Sequence, residues 1–299
     1  MRIAVSGSSG LIGSALVARL RDEGHTVVRI VRSAAGDDGV RWDPEAGTID
    51  AAGLAGVEGV VHLAGEGLGE KRWSPAQKRK ILESRVGGTS LLATTLAALD
   101  PKPSVLVSGS AVGYYGLRGD EVLTEGSGAG DGFLAEVCVQ WEAAVEPATE
   151  AGIRTVLLRT GIVLAPKGGA FGKLLPLLKL GLGGRLGAGD QWWSWISLED
   201  EVRMIVHALT DAAIHGPLNA TAPNPARNRD LIREAGKAAG RPTLLAVPKF
   251  ALGLVMGGER TEQMIFADQR ALPAKAEANG FTFTHPDVGT ALRAILAKR

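Results

Sequence analysis

The stretch that most constrains this chain comes within its first thirteen residues. Ile3, Ala4 and Val5 form a short apolar run that passes through Ser6 into Gly7, Gly10 and Gly13, a GxxGxxG spacing, and then into a helix with Leu11, Ala15, Leu16 and Leu20 on one face. Glycine at those places lets a strand turn sharply, lets backbone approach a phosphate without a Cβ in the way, and lets the helix lie close to its strand. The N–H groups of Leu11, Ile12 and Gly13 then face outward at the positive end of the helix, where an anion is favoured. Ser8 and Ser9 add hydroxyl donors that a plain turn does not need. The whole of Gly7, Ser8, Ser9, Gly10, Leu11, Ile12 and Gly13 is therefore expected to cradle the pyrophosphate of a dinucleotide.

The rest of the first half repeats the strand–helix alternation. Strands are expected at 25–31, 40–42, 59–63, 105–107 and 154–159, with helices at 74–99 and 133–146. Such alternation implies right-handed crossovers, so the fold class is α/β, a Rossmann-type doubly wound parallel sheet. Ligands bind at the carboxyl ends of such strands. The end of the second strand decides the cofactor: an NAD site places a carboxylate there for the ribose hydroxyls, whereas Val31 is followed by Arg32 and Ser33, which suits a 2′-phosphate. NADP(H) is the expected cofactor. Leu63, Ala64, Gly65 and Glu66 form a small-residue strand tip that should line the same cleft. Ser108, Gly109, Ser110, Ala111, Val112, Gly113, Tyr114, Tyr115 and Gly116 form another tip with polar and aromatic groups, and Thr160 and Gly161 a third, with Val163 just beyond.

Past Pro166 the texture changes. Residues 167–189 are rich in glycine around an apolar centre, which suits a substrate-side flap, and Trp192, Trp193 and Trp195 crowd together before Ser197, a helix cap followed by Glu199, Asp200 and Glu201. Helices are expected at 228–239, 250–256 and 287–297. The expected division is a dinucleotide-binding domain at 1–165 and a smaller mixed substrate lobe at 166–299. The 299 residues carry 33 Lys plus Arg against 32 Asp plus Glu, so no basic surplus suggests nucleic acid or a membrane surface. The single cysteine and five scattered histidines offer neither disulfide nor metal site. Met1 and Arg2 lead straight into the glycine motif, so a cytoplasmic protein is expected.

With these motifs placed, the chain resembles the extended short-chain dehydrogenase/reductase superfamily, and within it the atypical NAD(P)-dependent epimerase-like proteins with a small C-terminal domain of unknown function. The glycine motif, the Leu63–Gly65 tip, the helix segment Arg85, Val86, Gly87, Gly88 and Thr89, and the strand from Val107 to Gly116 all match superfamily patterns. Gln140, Trp141 and Glu142, the Leu158–Gly161 run, and residues 268–283 look like signatures of the atypical group. The resemblance implies that Arg85, in place of an asparagine, lies near the cofactor. In the extended superfamily the helices corresponding to those at 75 and 133 pair across a dimer, and whether this chain forms such a homodimer is a point the sequence leaves open.

Two departures matter. The YxxxK proton relay of the established enzymes falls on Leu134 and Cys138, and the arginine that meets the pyrophosphate of a nucleotide sugar is replaced by Trp193. The expected function is thus an NADP(H)-dependent oxidoreductase or epimerase-like enzyme for a small carbonyl or sugar-like molecule. Its chemistry would rest on Ser110 with Tyr114 or Tyr115. The alternative is an NADPH-binding sensor without turnover.

Overall fold

The computed structural model describes residues 1–32 and 39–297, so Ser33 lies outside the described residues. The main sheet has eight strands: β1 (Arg2–Ser6), β2 (Thr26–Val31), β3 (Gly39–Asp43), β4 (Thr48–Ile49), β5 (Gly59–His62), β6 (Val105–Ala111), β7 (Arg154–Thr160) and β8 (Gly216–Ala220). Their order is β8-β7-β6-β5-β1-β2-β3-β4. Every pairing is parallel except β3 with β4. Chain order reverses at β1, which lies between β2 and β5, and this is the switch point where a doubly wound sheet opens a crevice.

Alternation along the strands feeds two apolar layers. On one face Val5, Val61, Val107 and Val156 meet Leu16 and Leu20 of α1 (Leu11–Asp22), together with Met204, Ile205 and Leu209 from a helix later in the chain. On the other face Ala4, Val28, Ile30, Val60 and Leu106 meet Leu92 and Leu96 of α2 (Pro75–Ala97). As expected, Ser74 caps α2, its hydroxyl accepting from the Gln77 N–H at 3.2 Å with Pro75 in the first turn. Next come α3 (Phe133–Ala143) and α4 (Glu146–Glu150), which complete that layer.

The sheet does not end where the sequence changes texture near 165. After α5 (Gly169–Lys179) the chain returns through α6 (Leu198–Thr210), whose apolar face supplies Met204, Ile205 and Leu209, and into β8 at the sheet edge. The lobe keeps a third core of its own. Phe171, Leu175 and Leu178 of α5 pack with Leu231 and Ile232 of α7 (Asn228–Ala239), and further on with Ala291 and Leu292 near the end of the chain. Beyond α7 come α8 (Lys249–Met256), α9 (Gly258–Ile265), α10 (Ala274–Ala278) and α11 (Val288–Ala297). Neither α9 nor α10 shows an apolar period in the sequence that would announce it.

Candidate functional site

The glycine loop is built as its spacing requires. Gly7 has φ +65°, and a Cβ there would lie 2.8 Å from the Leu63 carbonyl carbon, while one on Gly13 would fall 2.1 Å from the Gly7 oxygen. Gly10 is the N-cap of α1 with no side-chain capping bond, so the first amides of the helix keep their N–H groups for a ligand. The loop is pinned from below by Ser6, whose Oγ lies 2.6 Å from His62 Nδ1 and accepts the Leu63 N–H at 3.2 Å. Burial lowers the His62 pKa to about 4, which keeps that ring neutral.

Two arginines stand at β2, where the adenosine end of the cofactor is expected. Arg32 is exposed directly after β2. Arg29, inside β2, was not singled out in the sequence, and it donates from Nε to Ser8 Oγ at 3.1 Å. Since the Ser8 hydroxyl accepts this bond, its own proton is left for another acceptor. The Arg29 Nη groups have no partner among the described residues. The available signal was a cation in the middle of an otherwise apolar strand.

Across the cleft, the Leu63–Glu66 tip is braced by Arg85. This side chain is buried, donates from Nη1 to the carbonyls of Glu66 at 3.0 Å and Ile81 at 3.2 Å, and lies 5.1 Å from the Trp141 ring. A Cβ on Gly65 would lie 3.3 Å from its Cζ. Arg85 is therefore next to the expected cofactor wall rather than on a solvated helix face, and its donors shape the tip. Glu66 in turn accepts from Gln77 Nε2 at 3.2 Å, and its N–H donates to Ser84 Oγ at 3.0 Å.

The third tip is organised by a residue pair that sequence reasoning missed. Ser110 of β6 and Arg159 of β7 are register partners, so their side chains leave the sheet together on the α3 side. Ser110 donates to Glu142 Oε1 at 2.6 Å, and Arg159 holds the same carboxylate with Nε and Nη2, both at 2.8 Å. Its remaining Nη1 donates to Tyr115 Oη at 3.0 Å. Tyr115 is fully buried, with its hydroxyl 2.7 Å from Asn219 Oδ1 and 3.0 Å from the Thr124 carbonyl, and burial raises its pKa. This places Ser110 and Tyr115 in a sealed network rather than at an open cleft. Tyr114 differs. Its ring lies 3.5 Å from the Arg159 guanidinium, it is half-buried, and its hydroxyl has no partner among the described residues. Ser108, one pair back on β6, is buried with an unpartnered Oγ.

Leu134, Cys138 and Glu142 follow one another at intervals of four along α3 and share its inner face. The Cys138 thiol points at the Ala111 carbonyl, 3.7 Å away, and burial pushes its pKa up to about 12. At the β7 tip Thr160 donates to Glu201 at 2.9 Å, and a Cβ on Gly161 would meet the Ser194 carbonyl at 2.4 Å. Val163 pairs with Ile196 in a two-stranded ladder behind this tip. The tryptophans mostly secure the lobe: Trp195 is fully buried, and Trp193 donates to the Ile265 carbonyl at 3.0 Å. Gln263 of α9 reaches across to accept the Leu134 N–H at 2.9 Å, a contact the sequence did not announce.

Comparison with known proteins agrees with this architecture. The model of the NAD dependent epimerase/dehydratase family matches residues 3–219, and a domain of unknown function, DUF1731, matches residues 247–295. An epimerase family protein of Mycobacterium tuberculosis is 45% identical over 97% of this chain and 96% of its own length. One from Bacillus subtilis is 35% identical over 100% and 99%. The crystal structure of human epimerase family protein SDR39U1 with NADPH superposes with a TM-score of 0.93 at 33% identity, covering 100% of both chains. A nucleoside-diphosphate sugar epimerase structure from Corynebacterium glutamicum gives 0.81 at 39% identity, covering 99% of this chain and 58% of that one. Glycine loop, strand order and matched relatives converge: the chain belongs to the NAD dependent epimerase/dehydratase family and carries that domain of unknown function at its C-terminal end.

Proposed function

We propose that this chain binds NADP(H) and exchanges a hydride with a small carbonyl or sugar-like compound, as an oxidoreductase or epimerase-like enzyme. The observation that carries the reading is the end of β2, where Arg32 follows Val31 with no carboxylate beside it among the described residues and Arg29 is held toward the glycine loop by Ser8. The similarity to a human protein solved with NADPH supports it. The loop fits the group, because its first helical amides are uncapped and the tight turn that presents them leaves no room for a Cβ on Gly7 or Gly13. When bound, the cofactor supplies the hydride chemistry, and the protein supplies position and proton management.

Within that reading, Gly7 to Gly13 seat the pyrophosphate, Arg29, Ser8 and Arg32 the 2′-phosphate, and the Leu63–Glu66 tip the opposite wall. Of the three groups expected to carry the proton step, Tyr114 alone has a hydroxyl without a partner among the described residues, so it is the donor. Ser110 and Tyr115 fix its place through Arg159.

A second reading is favoured by α3. Leu134 offers no proton and the Cys138 thiol titrates near 12, which is what a cofactor-binding sensor without turnover would tolerate. The experiment is a screen of carbonyl compounds followed by cofactor absorbance, with Tyr114→Phe made on any hit. Loss of roughly a hundredfold in kcat is expected if Tyr114 is the general acid. Tight NADPH binding with no turnover across the screen would replace the enzyme by the sensor.

A further inference from the structure

Although the chain is nearly neutral overall, two stretches are not. Residues 161–189 and 235–258 contain no aspartate or glutamate, yet they carry Lys167, Lys173, Lys179, Arg185, Lys237, Arg241 and Lys249. Folding joins them. The strand Gly184–Leu186 pairs in parallel with Leu245–Val247, and Arg241 Nε donates to the Lys179 carbonyl at 2.9 Å.

While Phe171, Leu175 and Leu178 face the core, other apolar side chains of these joined stretches point into solvent. Leu180 is 72% exposed, Leu182 55% and Leu244 87%, and the chain then enters α8, which buries no residue and leaves Phe250 72% and Leu254 73% exposed. A soluble surface seldom gathers so many large apolar groups without a use. Lys173, Lys179 and Arg185 are exposed around them with no acidic partner among the described residues.

We infer that this patch docks the protein on the surface of an anionic lipid bilayer. Leucine and phenylalanine side chains that project this far enter the acyl boundary, while the surrounding cations meet anionic headgroups. A second copy of the chain fits less well. A two-fold contact brings the same patch against itself, and here it would set Lys173, Lys179 and Arg185, which have no acidic partner among the described residues, against their own kind. A protein partner would have to supply both an apolar groove and a ring of acids, which a bilayer supplies without specific shape. The inference is independent of the redox reading and runs against the absence of a membrane partner expected from net charge. Of the cations in these stretches Lys237 pairs with Glu234 and Lys249 with Glu262, and the charge left without an acidic partner among the described residues, at Lys173, Lys179 and Arg185, is concealed by the balance of the whole chain.

Co-sedimentation of the full chain with phosphatidylcholine vesicles, with and without phosphatidylglycerol, tests it. Pelleting is expected only with the anionic lipid and should weaken with salt. Lys179→Gln with Arg185→Gln should weaken it by roughly twenty-five-fold, since each cation near such a surface is worth about fivefold. Leu180→Ser with Leu244→Ser should abolish it. Both variants should keep wild-type NADPH affinity, which shows that they fold. No pelleting, equal pelleting on neutral vesicles, or pelleting that survives both variants would overturn the inference. So would a dimer in sedimentation equilibrium that the leucine variant dissolves, or a leucine variant whose only defect is a raised KM.

Discussion

Two buried carboxyl groups flank β7, and the strand treats them in opposite ways. Arg159 and Thr160 are neighbours, so their side chains leave opposite faces of the sheet. On one face Glu142 receives a two-pronged bond from Arg159 and a third from Ser110. On the other, Glu201 is completely buried, receives one bond from Thr160, and has an Oε2 with no partner among the described residues. Burial raises its pKa to about 8. Burial also pulls the Arg159 pKa down, but the bonds to Glu142 outweigh this and raise it above the usual arginine value. The same residue type is thus answered by charge on one side and by protonation on the other. The difference teaches that burial alone does not set a carboxyl group's role; what faces it does.

The sharpest way to break this contrast is Glu142→Ala. With side-chain exposures of 3% for Arg159 and 9% for Glu142, the change strands a buried guanidinium and frees Ser110, Tyr115 and Asn219 from a common anchor. A stability loss of about 3–5 kcal/mol in urea denaturation is expected. A loss below about 1 kcal/mol would mean that water reaches Arg159 and that the network is not closed.

Glu201→Gln probes the other face and should act with the opposite sign. A carboxyl with a folded pKa of about 8 against an ordinary 4.5 holds its proton more tightly when folded. Its contribution is therefore intact below about pH 4.5 and drains away as pH rises through 8. The glutamine variant keeps the neutral shape without the titration. It should match the wild type at about pH 4 and exceed it by a few kcal/mol near pH 8. Parallel pH–stability curves for the two proteins would show that the wild-type carboxyl is charged and solvated.

These two groups also mark where the sequence could be read and where it could not. The glycine loop was legible because its geometry depends on residues adjacent in sequence, and Gly7, Gly10 and Gly13 would each crowd backbone if given a Cβ. The position of Arg32 directly after β2 was legible because a strand end is a local feature. The role of Arg159 was not, because it depends on the register that sets it beside Ser110, on an α3 residue, and on a tyrosine whose own partner, Asn219, lies 104 residues away. Ser110 and Tyr115 look reactive as sequence and turn out bonded inward for that reason. Arg29 was hidden differently: inside a strand of valines it reads as an exposed edge cation until the loop folds back and Ser8 meets it.

Arginine itself sharpens the comparison, with an effect of middle size. All three nitrogens of Arg159 are committed, whereas Arg29 commits only Nε and Arg32 none to a described partner. Arg32→Ala and Arg29→Ala should each leave stability within about 0.5 kcal/mol, as for a surface change. Each lost charge-assisted bond to a 2′-phosphate is worth about 1.5–3 kcal/mol, so NADPH affinity should fall roughly tenfold to a hundredfold, with NADH affinity unchanged. Calorimetry with both cofactors checks this. Equal losses for NADPH and NADH would move these cations from the 2′-phosphate to the pyrophosphate.

The smallest effect belongs to Cys138, which lies one helical turn from Glu142 on the same face of α3. Its neighbours pull in opposite directions: burial and the Glu142 charge hold the thiol protonated, while Arg85 favours the thiolate. Burial wins, and the group titrates near 12. At any pH the fold tolerates, Cys138 is then a small apolar side chain with a weak bond to the Ala111 carbonyl. Cys138→Ala should cost about 1 kcal/mol for the lost packing and leave the pH profile of NADPH binding unchanged. In the wild type, iodoacetamide should react slowly at neutral pH, because the thiolate is the nucleophile and almost none is present. Rapid alkylation blocked by NADPH would show instead that Arg85 prevails over burial, and that the inner face of α3 opens to the cleft with a reactive group at the position where the relay lysine is missing.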